Sequence, residues 1–243
     1  MTDAINWWTI FNTRFDTIYI SIIALVFTAI IYFLLSFLDD YVTIAHVMYF
    51  IAMAALCGIC LQSMLYLRFA PFSAFASDPN VDITAPAFQF ARSAMLVGYM
   101  LIAVIFNDTG AYFTGILFGK HKVNPRISPK KTWEGIVGGI ILSFLLSASF
   151  AFICAAFNFS IFPILDLSHW YYIIILSLLT PIVSILGDFL FSSIKRNFEI
   201  KDFSNLLPGH GGILDRFDSI LLSSAFIACF LVMASGGWRF GIV

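Results

Sequence analysis

Charge is what this sequence has least of. Only 11% of its 243 residues are Asp, Glu, Lys or Arg, against about 25% in soluble globular domains. Hydrophobic residues make up 60%, and apolar runs recur from Thr17 to Trp238. A soluble domain with a single anchor is thereby excluded. Net charge is also small, at −1, and no nucleic-acid partner is expected. Cysteine is sparse: Cys57, Cys60, Cys154 and Cys229 all lie in apolar runs, which excludes a disulfide framework and suits small packing hydrophobes. Cys57 and Cys60 form a C-x-x-C, but no second ligand pair accompanies it. Internal repeats and low-complexity segments are missing as well. So is a cleavable signal peptide. The first apolar run starts at Thr17, after Arg14 and Asp16, with no small-residue cleavage site before Asp39, and reads as a retained span.

What is present is a series of membrane-length runs. A spanning helix needs about 20 mostly apolar residues. Residues 17–38, 41–67, 93–117, 135–157, 169–191 and 217–234 meet that need. The predicted fold class is all-α, a polytopic membrane bundle of about six helices. Residues 68–92, with Pro71, Pro79 and Pro86, read as a longer connection with room for a re-entrant or short helix. The chain forms one integral membrane domain, with an N-terminal region at 1–92 and a catalytic region at 93–243. The 28 phenylalanines spread along the spans read as lipid-facing and packing residues.

The scarce basic residues are unevenly placed. Lys120, Lys122, Arg126, Lys130 and Lys131 fall in one inter-span stretch; Lys195, Arg196, Lys201 and Arg216 fall in another. The intervening loop at 158–168 has none. Two spans separate the basic stretches, so both lie on one side, which the positive-inside rule makes cytoplasmic. Six spans then place both termini outside.

The second stretch is also the densest in mixed charge, and charge beside a bilayer marks a functional site by default. Asp188, Ser192 and Lys195 fall at i, i+4 and i+7, on one helix face, with Ser184 a turn further in. They read either as a polar stripe lining a cavity or as a buried Asp–Lys pair tying helices together. Asp215 and Asp218 open the last span. Favourable placement near a helix N-terminus explains Asp218 well, and the pair less well. Asp188 and Asp215 come from separate spans and can share a hard cation. Mg²⁺ is normally held by one or two carboxylates together with substrate phosphates and water. The turn Pro208-Gly209-His210-Gly211-Gly212 offers backbone N–H groups that approach phosphate closely. His210 reads equally as a phosphate donor or acid/base and as a turn residue bonded to backbone. Asp108 sits within a span, followed at i+4 by Tyr112. A purely topogenic loop would explain Lys130 and Lys131 but not Asp108.

These residues carry a resemblance. The stretch 192–218, with Ser192, Lys195, Arg196, Lys201, Asp202, Pro208, His210, Gly211, Gly212, Asp215, Arg216 and Asp218, resembles the signature of the phosphatidate cytidylyltransferases (CDP-diacylglycerol synthases). The run Ser128-Pro-Lys-Lys-Thr-Trp-Glu-Gly135 is similar to that family's upstream segment. The N-terminal half resembles the family in hydropathy alone, and the chain looks short for it, which implies fewer N-terminal spans. The resemblance implies a membrane enzyme of phospholipid biosynthesis that takes CTP and phosphatidic acid to CDP-diacylglycerol and pyrophosphate. It implies Mg²⁺ on Asp188 and Asp215, with a second cation allowed. Catalysis would rest on Asp188, Asp215, Lys195, Arg216 and His210. Substrate would be held by Lys130, Lys131, Ser192, Arg196, Lys201 and Asp108. Membrane lipids are the implied surroundings, in a bacterial inner membrane with the site facing the cytoplasm, and a homodimer is allowed. Two other readings compete: a related CTP-using enzyme acting on a prenol or ether lipid, and an ion-coupled transporter using Asp108 and Asp188. The transporter would be favoured by an inverted repeat or paired unwound helices, and the sequence shows neither.

Overall fold

A computed structural model describes residues 14–38, 41–75, 86–157, 159–204 and 212–235, with backbone alone at 14–21, 70–75 and 86–93. The helices are α1 (Arg14–Leu38), α2 (Ile44–Phe75), α3 (Pro86–Phe118), α4 (Trp133–Ala156), α5 (Trp170–Asn197) and α6 (Leu214–Ala234). Five segments are long and apolar enough to cross a membrane: Ile44–Phe69, Ala94–Phe118, Trp133–Ala156, Leu167–Asn197 and Leu214–Ala234. Within α1 the apolar stretch Ile22–Leu38 is shorter. The protein is therefore an all-α integral membrane bundle, as hydropathy predicts. The expected long connection at 68–92 is largely helical instead. Helix α2 runs on to Phe75 and α3 starts at Pro86, where a missing N–H costs nothing because the first helical N–H has no intrahelical partner. The remainder of that connection, 76–85, lies outside the described residues.

The chain forms two compact units that divide within α2, between Ile59 and Cys60. In the first, Tyr32 stacks on Phe50 with ring centroids 4.8 Å apart. Its surface is strongly apolar, with Phe27, Phe37 and Met48 exposed, as suits side chains that meet lipid.

The second unit holds the site. Its core joins Leu67, Tyr99, Ile161, Leu176 and Ile227, around the loop that lacks basic residues. Polar side chains bond across helices here, where no water competes. The Tyr99 hydroxyl lies 2.8 Å from Ser177 Oγ, and Ser143 Oγ donates to the Ala103 carbonyl at 2.6 Å. Ser184, predicted to extend the Asp188 stripe, is buried and accepts from Asn107 Nδ2 at 3.5 Å.

Glycines set how closely the helices approach, and the two crossings that matter for the site are α3 with α4 and α5 with α6. A β-carbon at Gly139 would lie 2.6 Å from the Asn107 carbonyl oxygen and 3.0 Å from Ala111 Cβ. At Gly187 one would lie 3.1 Å from the Asp218 carbonyl oxygen. Glycine at these points lets backbones touch, the usual device of membrane interfaces. Gly139→Ala should therefore lower stability by about 1–3 kcal/mol. The check is a thermal melt in detergent beside the parent protein.

The structure adds an element that hydropathy does not show. Between α3 and α4, β1 (Lys122–Asn124) and β2 (Ser128–Thr132) form an antiparallel hairpin with Lys122 opposite Thr132 and Asn124 opposite Ser128. The Asn124 side-chain oxygen accepts the N–H groups of Arg126 at 3.1 Å and Ile127 at 3.3 Å. Such self-bonded Asn turns fold the chain back without glycine.

Candidate active site

Helix α4 anchors the hairpin. Thr132 precedes it in extended conformation (φ −120, ψ 153) and accepts the Gly135 N–H at 3.2 Å, an N-cap of the usual kind. Glu134, in the first turn, accepts the backbone N–H of Lys120 at 3.1 Å and of His121 at 3.2 Å. It also accepts His121 Nδ1 at 2.6 Å. The Thr-Trp-Glu-Gly run thus clamps the base of the hairpin to the end of α3. That clamp aims Lys131 inward: its ammonium pairs with Asp188 Oδ2 and lies 4.6 Å from the centre of the Phe189 ring.

Asp188 is held from its own helix as well. Ser192 Oγ, one turn on, donates to Asp188 Oδ1 at 3.1 Å, as the shared face predicted. Lys195 reaches a different carboxylate. Its ammonium lies 2.8 Å from Asp215 Oδ1 on α6, with side-chain exposures of only 12% and 6%. The second Asp215 oxygen accepts the N–H groups of Phe203 and Gly212, each at 2.9 Å. Helix α6 starts at Leu214, three residues ahead of the expected 217. Asp215 therefore occupies the first turn, and the role read for Asp218 at the helix start belongs to Asp215. Asp218 lies further along and accepts the Ser219 N–H at 2.7 Å.

That shift gives Asp218 another role. Across the close α5–α6 approach at Gly187 it interacts electrostatically with Asp188 and Lys195. Asp108 joins the same set from α3, interacting with Asp188, Lys131 and Asp218. Four carboxylates and two ammonium groups thus stand at one end of the bundle. Asp188 has Asp108 and Asp218 as its acidic neighbours, while Asp215 is engaged by Lys195 and two backbone donors. The sequence signal for Asp218 was its i, i+3 relation to Asp215, which capping absorbed. Asn107 opens the polar Asn-Asp-Thr run inside the α3 span. It is fully buried, and its Oδ1 has no hydrogen-bond partner among the described residues.

Arg196 Nε donates to the Ile127 carbonyl at 3.4 Å and Nη1 to the Ile200 carbonyl at 3.3 Å. It ties the hairpin to the end of α5, so both basic loops sit at the same end, as two intervening spans require. Lys130, Lys201 and Arg216 are exposed. His210 lies outside the described residues.

Among the described residues no group of three or more His, Cys, Asp or Glu side chains is arranged to hold a metal ion. Mg²⁺ asks for less, one or two carboxylates with phosphates and water. Asp188 and Asp215 each already face an ammonium. Asp188, with Asp108 and Asp218 as acidic neighbours, offers the hard oxygen donors such a cation takes, whereas both oxygens of Asp215 are already engaged by Lys195, Phe203 and Gly212.

A family model described as the cytidylyltransferase family matches residues 2–234. The chain belongs to the cytidylyltransferase family. Among curated relatives, the phosphatidate cytidylyltransferase of Haemophilus influenzae is 43% identical over 135 residues, 56% of this chain and 45% of the relative. That of Bacillus subtilis is 39% identical over 137 residues, 56% and 47%. That of Staphylococcus haemolyticus is 45% identical over 126 residues, 51% and 44%. The chain spans about half the length of the curated relatives it matches. In this cytidylyltransferase-family chain the carboxylate–ammonium cluster is the candidate active site.

Proposed function

We propose that the chain transfers CMP from CTP to phosphatidic acid, giving CDP-diacylglycerol and pyrophosphate. The observation that carries this reading is the placement of the cluster. Asp188 is about 27 Å along α5 from Trp170, so a hydrocarbon core of about 30 Å that begins at Trp170 ends just beyond it. There a lipid phosphate and a water-borne nucleotide can meet, the one with its tails in the bilayer. The names of the relatives support the same substrates.

In the proposed reaction a phosphate oxygen of phosphatidic acid forms a bond to the α-phosphorus of CTP. The bond from that phosphorus to the β-phosphate bridging oxygen breaks, and pyrophosphate leaves. Bound Mg²⁺ would supply charge neutralisation at the triphosphate, with Asp188 and Asp215 as its protein ligands. Ser192 orients Asp188. Lys131 and Lys195, each paired with a carboxylate, would re-pair with phosphate oxygens when a cation takes the carboxylates. Arg216 offers the planar fork suited to a phosphate. Lys130 and Lys201 would meet incoming phosphates, His210 is the remaining candidate donor or acid/base, and Arg196 holds the two loops together. Incubated with CTP, Mg²⁺ and phosphatidate in mixed micelles, the purified protein should yield CDP-diacylglycerol, identified by mass spectrometry. Turnover of a prenyl phosphate with none of phosphatidate would contradict the reading.

The site should face the cytoplasm of a bacterial inner membrane. With Cys57, Cys60, Cys154 and Cys229 replaced by Ala, a cysteine at the exposed hairpin residue Arg126 should resist a membrane-impermeant thiol reagent in intact cells. One at exposed Ser168, at the opposite end of α5, should be labelled. The reverse pattern would put CTP on the wrong side of the membrane.

A further inference from the structure

An open groove of about 630 Å³ runs along α3, and every residue lining it is apolar. Its walls include Ala94, Leu101, Ile105 and Phe106 of α3 and Phe150 of α4, with Gly98 at its floor. We infer that this groove holds one acyl chain of the phosphatidate substrate, an inference that rests on the function proposed above.

Three observations identify the occupant. The first is continuity with the site. Residues 94, 98, 101, 105 and 108 recur at helical spacing on one face of α3, so the groove and the exposed Asp108 share that face. Asp108 in turn interacts with Asp188 and Lys131, which places the charged cluster at the groove's upper end. The second is length. From Phe106 back to Ala94 is about 18 Å of helix, close to the roughly 15 Å depth of one leaflet's hydrocarbon. A chain whose headgroup lies at the cluster can lie along it.

The third is Gly98. Glycine weakens a helix interior relative to alanine, so a mid-helix glycine calls for a reason. At Gly139 and Gly110 the reason is a neighbouring helix, because a β-carbon there would meet α4 or α3 atoms at 2.6–3.1 Å. At Gly98, as at Gly58, a β-carbon would meet nothing among the described residues within 4 Å, and of these two Gly98 lines the groove. Its missing side chain leaves space that no described residue fills, on the lining of an apolar groove. An unbranched hydrocarbon chain fits such a space, and a water-borne ligand does not.

The same openness supplies the test, because a larger residue at 98 has room to fold. Gly98→Phe should lower kcat/KM for dioleoyl phosphatidate by roughly tenfold or more, and leave dihexanoyl phosphatidate within about twofold of the parent, since the short chains end before the filled position. Equal loss on both substrates, or loss on neither, would overturn the inference. So would a change in oligomeric state of Gly98→Phe on size exclusion, which would make the face a contact between copies. A second readout needs no turnover. Phosphatidate with a diazirine near the end of one acyl chain, in phosphatidylcholine vesicles, should crosslink the parent protein on the peptide holding Leu101, Ile105 and Phe106, and crosslink Gly98→Phe there far less. Equal crosslinking from a diazirine phosphatidylcholine would mean surrounding lipid only and sink the inference. Crosslinking of phosphatidate at this peptide by a protein that makes no CDP-diacylglycerol would sustain the groove and reject the proposed reaction.

Discussion

Asp188→Asn should lose CDP-diacylglycerol synthesis by about a thousandfold or more, equivalent to roughly 4 kcal/mol of transition-state stabilisation, while the bundle stays folded. The amide keeps the size of the carboxylate and can still accept from Ser192 Oγ, which donates to Asp188 Oδ1 in the parent at 3.1 Å. What it loses is the charge facing Lys131 and the charge a divalent cation needs. Asp188 and Lys131 retain 26% and 25% side-chain exposure, so the released ammonium remains near water and the melt should shift little. Asp215→Asn should be comparably inactive. Initial rates and thermal melts on the same preparations make the check. Near-parent activity in either variant, at normal expression, would remove that residue from the metal.

Lys195→Met should lose both stability and activity. The Lys195–Asp215 pair is almost enclosed, and removing one partner of a buried pair typically costs about 3–5 kcal/mol, because the other charge is stranded. Two backbone N–H groups from Phe203 and Gly212 would still reach Asp215, which places the loss toward the lower end of that range. Methionine keeps most of the length of the side chain but removes the ammonium, and with it the cation that lies 5.4 Å from the centre of the Phe203 ring. Adding Asp215→Leu should restore part of the melting temperature, since a buried pair replaced by apolar residues is often no less stable. Activity should not return with it. A double variant that regains both would make the pair structural alone; a single variant that loses neither would make it a solvent-screened contact.

Much of this arrangement was legible in the sequence, and the limits have physical causes. Helices were legible because a bilayer demands long apolar runs, and α4 and α5 fill those runs closely. Helical spacing alone placed Ser192 on Asp188. It could not choose the partner of Lys195, because a flexible four-carbon stem reaches either its own helix or a neighbouring one, and the choice fell to Asp215 across α6. The hairpin at 122–132 was hidden because Lys and Pro break the alternation that marks a strand, and its hold on α4 comes from Thr132 and Glu134 rather than from apolar burial. The approach of Asp218 to Asp188 runs across the α5–α6 backbone contact at Gly187, which no spacing rule encodes. The start of α6 at Leu214 puts Asp215 rather than Asp218 in the first turn, a shift within the usual uncertainty of a helix end.

The central claim is that the cluster around Asp188 and Asp215 directs a lipid phosphate to the α-phosphorus of CTP. Purified protein should be given phosphatidate, Mg²⁺ and CTP labelled at either the α- or the γ-phosphate, and the lipid and aqueous phases counted separately. The account predicts α-label in the lipid and γ-label in water-soluble pyrophosphate, both abolished in Asp188→Asn. Label from the γ-position in the lipid, or α-label transferred undiminished by Asp188→Asn, would contradict it.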